Sequence, residues 1–580
     1  MCMSGFGREM TSRSRALLLL TVITAIGGAF RFYNLAWGAP YYHFHMDEHD
    51  VFMGADLLRS SVQAAALSGK FFMYGPLQMY LVNGARWLYE TVAHPLVLSN
   101  HQDGITYMVL GRAISAAFST ATIPVLYAVG TRVAGRMAGL LAAAYAAFAV
   151  LLIRDAHFFS VDMSMTFFCM LTWLLLLRMA ERGSIGAGVA TGVALAAAIT
   201  CKYTAVFMAV PIALAHLLSP HRPHPLKPYR AWGRWGLRGL VPVVACVVTF
   251  LLLNPMVWLY WDKFLFDVRT QIAEPVSGAT RPIFFAHVFD VAHPRVYWFT
   301  NLLWWGMGPA LEIAALAGVV WLLTRRRPAA LLAASVPIAY FALAGNSAAP
   351  FIRYAIPLVA ALTVAAGVLS ADLLDRPRWR RIAATATVLI LGSTAAYAAA
   401  YINVFRQPDS RVAAARYLRQ ALPYDTKVLV EPSQNIPPLG SYFYATNFYR
   451  DYVLWGPTEE RLDWLRLYGL DTYRYLYDRG RSDADKRAYI ASRLVRVDWI
   501  VMDDTYVQWY DHLPGAEYGV VKQHYRDLFA GRLGFQLDRT FKVYPSLFGY
   551  EINDDRSELS FRLFDHPRVF VFRRGAAAES

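Results

Sequence analysis

The sequence contains few cysteines and few charged residues. Four of its 580 residues are Cys, and Asp, Glu, Lys and Arg together make up 17%. Cys2 lies at the N-terminus, whereas Cys169, Cys201 and Cys246 lie in or beside apolar runs. None of the four lies in the C-terminal part of the chain, so the sequence indicates neither a disulfide framework nor a zinc motif.

Two further features are absent. The first apolar run, residues 15–33, is followed by no small-residue cleavage signature, so we expect a retained helix rather than a secretory signal. No internal repeat is visible, although transporters of many families are built from repeated halves. The second absence disfavours a transporter.

Apolar residues are in excess. Hydrophobic residues make up 56% of the chain and the mean hydropathy is +0.32. Soluble domains rarely reach such values. The sequence therefore predicts a polytopic α-helical membrane protein with membrane lipid around it.

The formal net charge of +15 is distributed unevenly. Residues 403–580 hold 25 Lys and Arg against 24 Asp and Glu, whereas residues 1–402 hold 31 against 17. The basic excess lies in short loops between apolar runs, as in RRR (325–327) and RPRWRR (376–381). This pattern is typical of the cytosolic side of membrane proteins and does not indicate a nucleic-acid partner.

We predict eleven membrane spans with the N-terminus in the cytosol. The apolar stretch 184–218 is split in two at CKYTA (201–205), and an odd total places every basic loop on the same side. The other runs long enough to cross a bilayer are 15–33, 104–130, 136–153, 161–181, 239–258, 300–323, 328–344, 352–372 and 382–402.

This topology divides the chain into a membrane domain, residues 1–402, and an extracytoplasmic domain, residues 403–580. The first outer loop contains MDEHDVFMGADLLRSS and PLQMYLVNGARWLYE, whose apolar spacing predicts amphipathic helices on the outer membrane surface. The second domain contains one helix pattern, DSRVAAARYLRQALP, and three strand patterns, KVLVEP, VDWIVMDD and RVFVFRR. We therefore expect a small α/β domain outside the cytosol, with an undetermined strand order.

Ionisable residues gather at the outer ends of four spans in this topology. The run HFHMDEHD (43–50) opens the first outer loop with a dense set of acids and histidines. Charged groups near a membrane are costly and mark pathways or active sites more often than elsewhere. The set comprises Asp47, Glu48, Arg154, Asp155, His157, Asp162, Lys202 and Arg353.

Each of these residues also has a structural interpretation. Asp47 is equally consistent with a helix cap. For Lys202 and Arg353, taken singly, anchoring at the membrane interface is the commoner role. His157 is consistent with a packed histidine, and Glu312, within a span, with a hydrogen-bonded packing residue. The functional interpretation therefore depends on their convergence on one face.

Several motifs together resemble a known group. The Asp-Glu pair of the first loop, HFFSVDMSMTFF, CKYTA and RYAIPL are similar to motifs of GT-C glycosyltransferases that use lipid-phosphate sugars. Within this group, the motifs resemble those of protein O-mannosyltransferase-like and lipid A aminoarabinose transferase-like enzymes, of the glycosyltransferase family 39 type. The resemblance covers residues 15–402, and the ending ELSFRLFDHPRVFVFRR resembles the tail of bacterial members.

The resemblance implies an inverting transfer of a sugar from a polyprenyl-phosphate donor to an extracytoplasmic protein, lipid or cell-envelope glycan. It assigns Asp47 as the base, Glu48 as its neighbour or an acceptor contact, and Asp162 as the residue that orients the acceptor or binds a cation. Lys202 and Arg353 would hold the donor phosphate. The residues His157, Asp155 and Arg154 would contact the acceptor or support the site.

The resemblance also implies a place in the bacterial plasma (inner) membrane. Relatives often carry His-Pro-Pro where this chain has YGPL (74–77), so acceptor contacts there differ. No cofactor is expected to be obligatory, although Asp47 and Asp162 could share a divalent cation. The aromatic segment SYFYATNFYRDYVLW (441–455) is consistent with stacking on sugars or with packing.

Two alternatives from other classes remain at this point. A transporter or flippase would place ionisable residues near the midplane of the membrane, whereas here they lie at the outer ends of spans. A non-catalytic membrane anchor that binds glycans would leave Lys202 and Arg353 without a function.

Overall fold

The computed structural model describes residues 3–39, 41, 45–68, 70–92, 102–273, 293–431, 433, 435–439, 464–478, 480–507, 510, 513 and 515–575. His43 and Phe44 of the HFHMDEHD run, residues 274–292 and the aromatic segment 441–455 lie outside these residues.

The membrane half is helical, and short 3-10 or π turns extend several of its helices. These turns are Asp155–His157, Tyr203–Met208, Arg269–Ala273, Trp298–Leu303 and Ile352–Ala355. The helices are α1 (Met3–Phe32), α2 (Met46–Ser60), α3 (Val62–Leu67), α4 (Lys70–Tyr74), α5 (Leu77–Val92), α6 (Gln102–Ala134), α7 (Arg136–Phe148), α8 (Val150–Arg154), α9 (Val161–Arg182), α10 (Ile185–Cys201), α11 (Ala209–Leu217), α12 (Tyr229–Leu253), α13 (Pro255–Leu259), α14 (Trp261–Val268), α15 (Pro294–Tyr297), α16 (Trp304–Met307), α17 (Pro309–Arg325), α18 (Pro328–Ala344), α19 (Ile356–Leu374) and α20 (Arg380–Arg406).

Each of the eleven predicted spans coincides with an apolar helix or helix pair. Among the described residues, six helices are long and apolar enough to cross a membrane, or eight if two bent pairs each count as one span. Three further apolar helices are shorter, namely Ile185–Cys201, Tyr203–Leu217 and Pro328–Ala344. The polytopic membrane fold is confirmed, and the total of eleven stays a prediction.

Backbone breaks divide the apolar segments. Lys202 has an extended backbone (φ −158°, ψ 128°), which ends α10 and confirms the split at CKYTA. A second break lies between α16 and α17, where the chain bends by 120° at Gly308 (φ +80°). A positive φ of this kind is readily adopted only by glycine. Breaks of this type place polar residues at the ends of spans.

The first outer loop is helical, as predicted. The apolar residues Val51, Phe52 and Ala55 of α2 are buried against Phe71 and Met79 of the same loop, in a cluster that also contains side chains of α6 and α9. The apolar face of α2 is therefore covered by protein. By contrast, α5 exposes Trp87 and Leu88, which is consistent with a helix that rests on lipid.

The C-terminal part is a mixed α/β unit around a five-stranded sheet. The strand order is β2 (Arg466–Gly469), β1 (Lys427–Val430), β3 (Trp499–Asp503), β7 (Val569–Arg574) and β4 (Phe535–Phe541). Strand β1 pairs in parallel with β2 and β3, whereas β7 pairs antiparallel with β3 and β4. All four predicted elements are confirmed. In chain order the elements are α21 (Ser410–Ala421), β1 (Lys427–Val430), β2 (Arg466–Gly469), a π turn (Thr472–Leu476), α22 (Asp483–Leu494), β3 (Trp499–Asp503), α23 (Asp504–Val507), α24 (Gly515–Phe529), β4 (Phe535–Phe541), β5 (Ser546–Leu547), β6 (Tyr550–Glu551), α25 (Leu559–Leu563) and β7 (Val569–Arg574).

The two halves of the chain are continuous in sequence and in packing. Helix α20 runs across the predicted boundary at residues 402 and 403 and ends at Arg406. One cluster of buried residues joins side chains of α8, such as Leu151, to Phe561 of α25 and Ile500 of β3. The boundary stays a prediction.

Candidate active site

Asp47 lies in the first turn of α2 and contacts two side chains from other elements. Its Oδ1 accepts a hydrogen bond from the Tyr74 hydroxyl at 3.0 Å, and its Oδ2 pairs with the Arg353 guanidinium. Helix α2 is capped by His45, whose Nδ1 accepts from the Asp47 backbone N–H at 3.1 Å. Asp47 is thus buried, fixed at two oxygens and paired with a cation.

Asp162 and Lys202 form a second pair of the same kind. Asp162 lies in the first turn of α9, and its Oδ1 accepts from Lys202 Nζ at 2.7 Å. Asp162 Oδ2 and Arg353 Nε are buried and have no hydrogen-bond partner among the described residues. Both pairs therefore retain polar atoms that a ligand can engage.

The ring of Tyr354 brings the two pairs together. Lys202 Nζ lies 5.2 Å and Arg353 Cζ lies 5.8 Å from the centroid of this ring. The side chains of Lys202 and Arg353 are 22% and 19% exposed, whereas those of Asp162 and Asp47 are 1% and 2% exposed. The cations therefore border the open side of the site, and the carboxylates lie beneath them.

The electrostatics of the site follow from this arrangement. Burial raises the pKa of Asp47, but Arg353, His45 and Lys202, together with the Tyr74 hydroxyl, outweigh it and lower the pKa to about 2. Burial, opposed by Asp47 and reinforced by Arg353, lowers the pKa of His45 to about 4. At neutral pH Asp47 is ionised and the His45 ring is neutral, as an acceptor at Nδ1 requires.

Glu48 has different surroundings from its neighbour. Both of its oxygens bond Arg112 of α6, at 2.7 and 3.0 Å, and Oε1 also accepts from the Phe159 backbone N–H at 2.9 Å. Arg112 in turn donates to the carbonyls of Leu35 and Trp37. Because the Glu48 side chain is fully buried, this geometry favours a role in fixing α2 over the predicted acceptor contact.

The residues Arg154, Asp155 and His157 form their hydrogen bonds with partners outside the two pairs. Arg154 bonds Asp155 at 2.9 Å and donates to the carbonyls of Ser560 and Phe561 in α25. Both ring nitrogens of His157 bond backbone carbonyls at 2.9 Å, and its ring stacks on an aromatic ring of α20. These contacts favour the supporting role among those predicted.

Tyr74 was not singled out from the sequence. It is the first residue of YGPL, and its hydroxyl bonds Asp50 as well as Asp47, at 3.0 Å each. The next residue, Gly75, has φ +72°, and a Cβ there would lie 2.2 Å from the Thr200 carbonyl. The only signal in the sequence was the departure of YGPL from the pattern of the relatives.

Among the described residues, no group of three or more His, Cys, Asp or Glu side chains is arranged to hold a metal ion. The carboxylates of Asp47 and Asp162 have Arg353 and Lys202 as their cationic partners.

Comparisons with known proteins match the chain to one family model and to solved structures. Residues 106–253 match the family model described as dolichyl-phosphate-mannose-protein mannosyltransferase. The matched segment contains Asp162 and Lys202, whereas Asp47 and Arg353 lie outside it. Among curated proteins no match was found.

Solved structures with a similar fold include the oligosaccharyltransferase of Archaeoglobus fulgidus with a tethered acceptor peptide. The TM-score is 0.50 at 12% identity, and the likeness covers 93% of this chain and 74% of that chain. ArnT from Cupriavidus metallidurans, bound to undecaprenyl phosphate, has a TM-score of 0.45 at 15% identity, covering 97% of this chain and 98% of that chain.

The family match over residues 106–253 and the fold shared with the oligosaccharyltransferase both agree with the class that the sequence resemblance predicted. The chain has a polytopic membrane fold of the GT-C type.

Proposed function

We propose that the protein transfers a sugar from a polyprenyl-phosphate donor to an extracytoplasmic acceptor, which is a protein, a lipid or a cell-envelope glycan. The observation that carries this proposal is the pairing of two buried carboxylates with two partly exposed cations at one site. The matched family model, named for a lipid-phosphate sugar, supports the donor class.

In this proposal Arg353 and Lys202 hold the donor phosphate, because they border the open side of the site. Charge-assisted bonds to phosphate oxygens are among the stronger polar contacts in proteins. The same cations stabilise the charge that develops on the phosphate as the sugar leaves.

Asp47 acts as the general base. An acceptor hydroxyl transfers its proton to Asp47 while its oxygen attacks the anomeric carbon. The bond between that carbon and the phosphate oxygen breaks, and polyprenyl phosphate departs with the bonding electron pair. Because one displacement occurs and no covalent intermediate forms, the anomeric configuration inverts. Asp162 orients the acceptor through its unpartnered oxygen.

Donor binding also prepares the base. Without a donor, Arg353 and Lys202 neutralise Asp47 and Asp162, and the low pKa of Asp47 makes it a weak base. A phosphate shared with these cations weakens both pairs and raises the pKa of Asp47. The acceptor is therefore activated only when the donor is in place.

The other predicted residues support this centre. Glu48 fixes α2 through Arg112, and Arg154, Asp155 and His157 hold the surrounding segments together. Since Asp47 and Asp162 already have cationic partners, we propose that no metal is obligatory. Transfer activity that survives EDTA supports this, whereas activity restored only by a divalent cation contradicts it.

The proposal places the protein in the bacterial plasma (inner) membrane, with the N-terminus in the cytosol. The basic loops support this orientation, because they would then all face the cytosol. The candidate active site would open to the extracytoplasmic side, where the C-terminal domain lies.

A panel of labelled polyprenyl-phosphate sugars tests the function. Purified protein in lipid vesicles is supplied with each donor and with an envelope extract as the acceptor. Transfer of one label by the wild type, together with release of polyprenyl phosphate, supports the proposal. Transport of the intact donor across the vesicle membrane without cleavage would instead establish a flippase.

A further inference from the structure

A short segment of the C-terminal domain inserts beside the candidate active site. Residues 558–566, named here the clamp segment, comprise α25 and its flanking residues, and all nine are buried. The clamp segment is distant in sequence from Asp47 and Arg353, but it contacts a residue close to each of them.

On the Asp47 side, the contact is between aromatic rings. The His45 ring, which caps α2, lies 4.2 Å from Phe564 and 4.6 Å from Phe158, measured between centroids. Histidine is an unusual cap, since Ser, Thr, Asp and Asn are strongly preferred. A ring at this position adds a planar surface that packs between the two phenylalanines, so the clamp segment fixes the cap of the helix that carries Asp47.

On the Arg353 side, the contact is a hydrogen bond. Glu558 Oε2 accepts from the Ile352 backbone N–H at 2.9 Å, one residue before Arg353. Glu558 is itself held by Asn301, whose Oδ1 accepts from the Glu558 backbone N–H at 2.6 Å. The backbone that carries Arg353 is thus tied to the same nine-residue segment as the cap of α2.

A third contact fixes the clamp segment to the bundle between these two points. Arg154 Nε donates to the Phe561 carbonyl at 2.8 Å, and Arg154 Nη2 donates to the Ser560 carbonyl at 2.5 Å. The clamp segment is therefore held by contacts at three points near the candidate active site.

We propose that Phe564 and Glu558 are positioning residues that set the spacing between Asp47 and Arg353. This inference rests on the proposed roles of Asp47 as the base and Arg353 as the phosphate ligand. It makes the C-terminal domain a structural part of the active site.

The test uses the reactivity of Asp47 and does not depend on sugar transfer. Carbodiimide-activated amine labelling is measured by mass spectrometry at Asp47 and at Asp56, an exposed carboxylate of the same helix. The variants are Phe564→Ala, Phe564→Tyr and Glu558→Ala. The matched controls are Phe548→Ala and Glu551→Ala, at exposed positions of the same domain.

We expect Phe564→Ala to raise the labelling rate of Asp47 by about two- to tenfold, in line with the loss of an aromatic pair. Phe564→Tyr keeps the ring and should restore the wild-type rate. Glu558→Ala should raise the Kd of a labelled polyprenyl-phosphate sugar, measured by equilibrium binding without turnover, about tenfold or more, because a bond to a charged acceptor is lost. Both controls should match the wild type, and labelling of Asp56 should not change.

The contrary result is a folded Phe564→Ala variant in which Asp47 is labelled at the wild-type rate, and it would overturn the inference. If Phe564→Ala does not fold, His45→Asn serves instead, because Asn keeps the cap but lacks the ring. An unchanged Asp47 rate in that variant contradicts the inference equally. A wild type that transfers no sugar contradicts the proposed function while the labelling result still decides the positioning.

Discussion

At the scale of single residues, the Asp47 carboxylate has a structural role and, in the proposed function, a catalytic role that depends on the same atoms. Its carboxylate lies in the first turn of α2, where a negative charge stabilises a helix. The same carboxylate bonds Tyr74 and Arg353 at the candidate active site. The residue that caps α2 is His45. Substitutions at His45 therefore test helix stability, whereas substitutions at Asp47 test the proposed catalysis.

Removal of either cation should weaken donor binding. A charge-assisted contact to phosphate contributes about 1.5–3 kcal/mol, so Arg353→Ala and Lys202→Ala should each raise the Kd for the donor by about ten- to a hundred-fold. Equilibrium binding of a labelled polyprenyl-phosphate sugar measures this. Lys427→Ala, at an exposed position of β1, is the control. Donor affinities equal to that of the control would mean that both cations only anchor the chain.

His45 should make the fold sensitive to acid. Its pKa falls from an ordinary value of 6.5 to about 4 on burial. The unfolded chain therefore binds the proton first, so the stability that His45 contributes is complete above pH 6.5 and is lost as the pH falls towards 4. The shift corresponds to about 3 kcal/mol.

The variant His45→Asn should show a shallower fall of Tm between pH 6.5 and 4 than the wild type, because Asn caps a helix without titrating. The exposed His293 provides the control, since His293→Asn should leave the slope unchanged. Identical slopes in all three proteins would exclude His45 as the titrating group.

At the scale of elements, α2 is fixed to α6 by the Glu48–Arg112 pair, whose side chains are both fully buried. A pair of this kind contributes little net stability when intact, but loss of one partner leaves a buried charge. A second pair in the same loop, Arg59–Glu90, is exposed at 41% and 31%. A comparison of the two pairs therefore distinguishes the contribution of a buried ion pair to stability from that of an exposed one.

Glu48→Ala should lower the free energy of unfolding by about 3–5 kcal/mol. Arg59→Ala should lower it by no more than about 1 kcal/mol. Denaturant titration of the purified protein in detergent compares the two variants. Equal small losses would show that Glu48 does not anchor α2.

The positions of the elements could be predicted better than the contacts between them. Apolar runs and basic loops placed Asp47, Asp162, Lys202 and Arg353 on one face, and the structure brings these four together. The pattern did not reveal which cation pairs with which carboxylate, because pairing depends on helix packing. Arg112 lies inside an apolar run, and its partner Glu48 became apparent only from the folded loop.

At the scale of the whole molecule, the clamp segment of the C-terminal part contacts His45 and Ile352, which lie close in sequence to Asp47 and Arg353. The sequence predicted the helix and three strands of the C-terminal domain. It gave no sign that residues 558–566 contact His45 and Ile352, because such contacts between distant segments have no local pattern. The resemblance of ELSFRLFDHPRVFVFRR to bacterial relatives was the only indication that this segment matters.

The proposed topology has a direct test. A reporter that is active only outside the cytosol should be active when fused after Ser580 and inactive when fused at Pro225, within a basic loop. A cytosolic reporter at the same two positions should give the opposite pattern. Activity at Pro225 and none after Ser580 would place the site on the cytosolic face and remove the argument for an extracytoplasmic acceptor.

The central claim is that Asp47 takes the proton of the acceptor. Asn is nearly isosteric with Asp, and its amide oxygen can still accept from Tyr74 or Arg353, so Asp47→Asn should fold and should bind the donor, with Tm lowered only by the loss of the charge beside Arg353. Its turnover should fall by at least about a hundred-fold, because the amide cannot accept the proton. The decisive measurement is kcat of purified Asp47→Asn with the identified donor, beside its donor Kd. A large loss of kcat with an unchanged Kd agrees with the account, whereas near wild-type turnover would show that Asp47 only supports the helix.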